Sequence, residues 1–135
     1  MKEHGVYINW KPEYDLGIPI IDEQHRGIVS IINSLYYGMQ NNHINDLLEP
    51  IIGMMQDYTL VHFQIEETFL KASAYPDTKN HLDLHQELIT KLRIIGNKSM
   101  LDKEPYQLME FLKKWWIHHI CVADVTYKDY VKGAA

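Results

Sequence analysis

The sequence predicts an all-α protein: an up-down-up-down four-helix bundle over residues 21–133, preceded by an irregular N-terminal arm over residues 1–20. Three observations carry this. Apolar residues recur at alternating steps of three and four in four separate segments, short polar or proline-bearing breaks divide those segments, and no strand-like alternation competes. Short connections between long helices favour antiparallel neighbours, hence the up-down order.

Each element has its own start and stop. The arm contains Trp10, Pro12 and Pro19. Asp22 is the expected N-cap of the first helix, "IDEQHRGIVSIINSLYYGMQ". The polar run "NNHIN" precedes a second helix expected over 46–72, with Pro50 near its first turn, where proline costs least. "SAYPD" breaks the chain, and Asp77 is placed to cap a third helix running to about Asn97. The fourth is expected as one helix from Asp102, with Pro105 in its first turn, to near Gly133.

At 135 residues with 46% apolar and 23% charged composition, the chain has the size and makeup of a single globular domain, 1–135. A net charge of -5 without a Lys/Arg cluster speaks against nucleic acid and membrane surfaces as partners. No run approaches the roughly 18 apolar residues a bilayer span needs, and no signal-like start is present, so a cytoplasmic protein is expected. Cys121 stands alone and cannot form an internal disulfide; a packing residue is the plainer reading.

Eight histidines are the unusual feature. Laid on the apolar seams, they fall inward on every helix: Ile21, His25, Ile28, Ile32, Leu35 and Met39 on the first; Ile51, Met55, Tyr58, His62, Glu66 and Phe69 on the second. The third reads His81, His85, Leu88, Leu92 and Ile95, and the fourth Leu108, Leu112, Trp115, His119 and Val122. Alternating chain direction brings the inward histidines within roughly 20 Å of one end, at about 1.5 Å of rise per residue. His4, His43 and His118 fall off the seams and read as solvated.

A lone core histidine is ordinarily satisfied by hydrogen bonds, but five at one depth are not independent accidents. Each unsatisfied ring nitrogen would cost about 1–3 kcal/mol, and a buried Glu66 carboxylate more. A bound metal answers both. The HxxxE pair at 62 and 66 and the HxxxH pair at 81 and 85 place two donors on one face about 6 Å apart. Asp124, offset by about 140° from His119 on an ideal helix, is the weakest candidate on geometry, and a surface aspartate is the alternative. Seven donors exceed what one structural zinc takes, and calcium and magnesium prefer oxygen cages. Imidazole with bridging carboxylate suits a pair of first-row metals such as iron, with manganese or mixed occupancy left open. Five neutral imidazoles to two carboxylates stabilise high-valent metal less than carboxylate-rich sites do, which points to reversible reduction of oxygen to peroxide.

The segments "W...YDLGIPIIDEQH", "HFQIEE", "YPDTKNHLDLH" and "HHICVADVTY" resemble the hemerythrin family, in particular its stand-alone bacterial members, over nearly the whole chain. Myohemerythrin is itself a reference example of the four-helix bundle, so the fold and the resemblance are not independent. The resemblance implies two iron ions, one held by His81, His85 and His119 and the other by His25 and His62, bridged by Glu66, Asp124 and an oxo or hydroxo group. It implies reversible dioxygen binding as hydroperoxide, which would serve storage, delivery or sensing by a non-enzyme; a monomer or weak oligomer is expected. An unidentified protein partner would serve a sensor. A di-iron oxidase, peroxidase or nitric oxide handling enzyme on the same ligands is the alternative. Trp116 departs from the family pattern, which has leucine there, and is expected either to lean into the oxygen pocket or to pack as ordinary core.

Overall fold

The computed structural model describes residues 8–41, 43–115, 118–120 and 124–134. The elements are α1 (Pro19–Met39), α2 (Ile44–Ala72), α3 (Thr78–Asp102), α4 (Tyr106–Trp115) and α5 (Lys128–Ala134). Short 3-10 turns occupy Pro12–Tyr14 and Asp124–Tyr127. Helix α1 packs on α2, α2 on α3, α3 on α4, and α4 returns to α1, so four helices close a ring; α5 lies against α2. The all-α bundle expected from periodicity is what forms. Among the described residues no helix is long and apolar enough to cross a membrane.

Several boundaries differ from the sequence expectation, each for a local reason. Helix α1 begins at Pro19, after an extended Ile18, because proline's fixed φ suits a first helical position. Asp22 therefore lies in the first turn rather than at the cap. Its carboxylate accepts the N–H groups of Leu16 and Gly17 at 2.7 and 3.0 Å, and Gly17 adopts φ 83°, a conformation that glycine takes without strain. Asp22 thus ties the arm down.

The arm is further held by Asn33, whose side-chain amide pairs with the backbone of Ile8 in both directions, at 2.8 and 3.1 Å. Arg26 reaches back to Asp15 at 3.0 Å and covers the Trp10 ring at 5.0 Å.

Helix α2 starts two residues earlier than expected, so exposed Pro50 falls in the second turn and removes one hydrogen bond to the Asp46 carbonyl. Asp77 does occupy the N-cap position of α3, although its carboxylate accepts from Asn80 Nδ2 rather than from backbone. Helix α3 runs on to Asp102, which is its last residue and not the cap of the next helix. Lys103, at φ 52°, turns the chain out in the left-handed conformation, and Pro105 stands just before α4, accepting from Met109 N–H.

The fourth segment is not one regular α-helix. Helix α4 is described as far as Trp115, residues 118–120 form a π-helical turn, and the 3-10 turn leads into α5. A π turn takes up one more residue than an α turn and re-phases the chain beyond it. The 140° offset between His119 and Asp124 therefore does not describe this backbone.

Burial divides the core into two clusters. The larger, in the body of the bundle, holds Ile28, Ile32, Leu35, Met55, Phe63, Leu92, Leu112 and Trp115. The smaller, at one end, holds Leu16, Ile18, Ile21, Leu70, Tyr127 and Val131. On α2 the buried face includes Thr59, Phe63 and Leu70, leaving Tyr58 and Phe69 half-buried at its edge; a 3.6-residue helix drifts away from a strict 3.5-residue seam. Between the clusters lies a polar layer drawn from α1, α2, α3 and the π turn.

Candidate metal centre

That layer consists of His25 from α1, His62 and Glu66 from α2, His81 and His85 from α3, and His119 from the π turn, all buried. One donor atom from each of Glu66, His81, His85 and His119 lies within 4.8 Å of the others, and the same holds for His25, His62 and Glu66. Glu66 belongs to both groups. Its Oε1 faces His85 Nε2 at 2.8 Å, His81 Nε2 at 3.1 Å and His119 Nε2 at 4.0 Å. Its Oε2 faces His62 Nε2 at 3.6 Å and His25 Nε2 at 4.0 Å. One carboxylate thus presents an oxygen to three imidazoles and the other oxygen to two.

Supporting side chains fix which ring nitrogens point inward. His62 Nδ1 donates to Gln24 Oε1 at 2.9 Å, and His85 Nδ1 donates to Glu67 Oε2 at 2.8 Å. A neutral ring that spends its proton on Nδ1 keeps a lone pair on Nε2. His85 Nε2 and Glu66 Oε1 would then be two acceptors 2.8 Å apart, a contact that requires a proton or a metal cation to hold it. The donor set fits a metal pair on that ground: nitrogen lone pairs and an anionic oxygen converge in a layer sealed from water.

The electrostatics agree. Burial by itself would push the Glu66 carboxyl up, but the close contacts with His81 and His85 and the nearby His62 and His119 rings more than reverse it. The group is held well below the ordinary carboxylate range and stays ionised.

Tyr127, fully buried, donates its hydroxyl to Glu66 Oε2 at 2.6 Å, and its ring lies 5.5 Å from that of His81. Phe63 stacks on His85 with 3.7 Å between centroids and 4° between planes, and packs edge-on to His119.

Of the residues singled out from sequence, the structure brings together His25, His62, Glu66, His81, His85 and His119. The Asp124 side chain, Trp116, Cys121, Val122 and His4 lie outside the described residues. His43 and His118 are exposed. Gln24, Glu67, Phe63 and Tyr127 were not assigned roles from sequence. Gln24 and Glu67 each adjoin a candidate ligand in sequence, which is the signal that could have flagged them; Tyr127 gave none beyond an aromatic following the last histidine.

The pattern of the Hemerythrin HHE cation binding domain matches residues 16–131. A protein described as bacteriohemerythrin from Stenotrophomonas maltophilia is 29% identical over 132 residues, spanning 92% of this chain and 81% of that one. Another from Pseudomonas aeruginosa is 30% identical over 131 residues, spanning 93% and 82%. A third from Clostridium acetobutylicum is 29% identical over 126 residues, spanning 89% and 98%. Crystal structures of two point mutants of a hemerythrin superpose with a TM-score of 0.81 at 21% identity, covering 94% of this chain and 98% of theirs. The fold and the buried His/Glu cluster are those of a helical metal-binding protein. The chain belongs to the hemerythrin family.

Proposed function

We propose that this protein binds two iron ions in the polar layer and uses them to bind dioxygen reversibly. The single observation that carries the reading is Glu66, whose two oxygens face different groups of imidazoles. His81, His85 and His119 would hold one ion, His25 and His62 the other, with Glu66 and Asp124 spanning both and an oxo or hydroxo group completing the bridge. A bound iron pair supplies two electrons and an open coordination position to dioxygen and takes the electrons back on release. The names of the bacterial relatives support this assignment.

The chain's own residues make reversal practicable. Gln24 and Glu67 hold the rings of His62 and His85 in one tautomer, so the donor atoms are preset. Phe63 on one side and Leu70 with Ile21 on the other exclude water, which would otherwise promote irreversible oxidation. The Tyr127 hydroxyl holds its proton toward Glu66 Oε2. With two carboxylates among five imidazoles, the site favours the reduced metal more than a carboxylate-rich one does.

The test is metal analysis of anaerobically purified protein, followed by rapid mixing with oxygen. About two irons per chain and an oxygen-dependent absorption band that vanishes under vacuum are expected. Immediate conversion to ferric protein with turnover would favour an oxidase or peroxidase, and one metal per chain would remove the paired site.

A further inference from the structure

A second recess lies outside the polar layer. Between α3 and α4 is a cavity of about 240 Å³ whose apolar walls are Leu84, Leu88, Phe111 and Trp115. Of the six clustered metal-site side chains, only His119 reaches it. The space exceeds the roughly 150 Å³ in which an apolar cavity holds a benzene molecule, so a six-membered ring with a short substituent fits. Two aromatic walls favour a ring as the occupant, through edge and offset contacts.

Charge selects the substituent. Exposed Lys91 and Lys114 also line the cavity, one from each helix. Lys91 shares its ammonium with Glu87 one turn earlier at 3.4 Å, while Lys114 has no carboxylate within ion-pair distance among the described residues. An anionic oxygen answers the ammonium groups.

We propose that this cavity binds a small aromatic monocarboxylate, its ring between Leu88, Phe111 and Trp115 and its carboxylate toward Lys114 and Lys91. The site is independent of the oxygen chemistry proposed above, although its occupant would lie against His119.

The experiment is calorimetric titration of the metal-loaded protein with phenylacetate and with phenylacetamide, which has the same shape but no charge. Saturable binding of phenylacetate at one site per chain is expected, with the amide at least about tenfold weaker. Lys114→Glu should weaken phenylacetate about tenfold, while Lys71→Glu, the same charge change on exposed α2 surface, should alter it less than about twofold. Leu88→Trp should abolish binding by filling the space; Lys114→Glu, at an exposed position, keeps the test valid if that variant misfolds. Equal affinity for acid and amide, equal response to the two lysine substitutions, or no saturation would overturn the proposal. So would binding insensitive to both Lys114→Glu and Leu88→Trp, which would mean that the carboxylate attaches to the metal instead.

Discussion

At the scale of single residues, Tyr127 and Tyr58 show how position sets the role of a phenol. Tyr127 is sealed in and donates to an ionised carboxylate, a bond of the charge-assisted kind. Replacing it by phenylalanine removes one donor from a buried anion, so Tyr127→Phe should cost about 1.5–3 kcal/mol in denaturant unfolding with little change in fold. Tyr58 sits half-buried at the edge of α2, its hydroxyl over Gly27, where an added Cβ would stand 2.0 Å from the oxygen. Burial and the nearby Glu23 carboxylate push its ionisation above the ordinary value of 10.0. The folded phenol keeps its proton where the unfolded chain has lost it. Its contribution to stability is therefore intact below about pH 10 and fades as pH rises through the folded value. Tyr58→Phe should leave stability at pH 7–9 nearly unchanged in its pH dependence and flatten the decline above pH 10, as read from unfolding midpoints against pH.

At the scale of elements, helix crossings explain which glycines matter. Gly53 on α2 has nothing within 4 Å of an added methyl, whereas at Gly96 on α3 a Cβ would meet Ile52 Cγ2 at 2.9 Å and Gln56 Nε2 at 3.3 Å. Gly53→Ala should stabilise by up to about 1 kcal/mol through helix propensity alone. Gly96→Ala gains the same propensity but forces the buried Ile52 methyl aside, at about 1–3 kcal/mol, and should lower the thermal midpoint. Opposite shifts in calorimetric midpoint are the expected result; equal shifts would show that α2 and α3 are not in close contact there. Elements were also where the sequence was most and least readable. Ile21 through Leu35 announced α1 by spacing, and the inward histidines announced the polar layer, because both rest on a fixed angular step. Asp102 misled, since an aspartate shortly before a proline reads as a cap, yet Lys103 in a left-handed conformation carries the actual turn. The π turn at 118–120 left no periodic trace, because an extra residue in one turn changes only the phase of the residues beyond it.

At the scale of the whole molecule, the polar layer lies between two separate apolar clusters. Metal binding across that layer couples to folding, because the ligands must converge for the cation to bind. Removing metal with a chelator should lower the overall thermal midpoint. It should also raise amide hydrogen exchange at the small-cluster end, around Leu16–Ile21, Leu70–Leu82 and Tyr127–Val131, more than in the body around Ile28–Leu35. Uniform loss of protection would show instead that the two clusters open together. Gln24, Glu67 and Tyr127 could not be assigned from sequence for a related reason: a supporting contact depends on three-dimensional convergence, not on any spacing within one helix.

The π turn has a last consequence, for tolerance of length. It carries one residue more than an α turn, so deleting one of residues 118–120 would shift the helical phase of the chain beyond by about 100° and carry Tyr127 away from Glu66. Trimming the tail beyond Val131 would leave that phase untouched. In this protein the number of residues before Tyr127 is a tighter constraint than how many come after Val131.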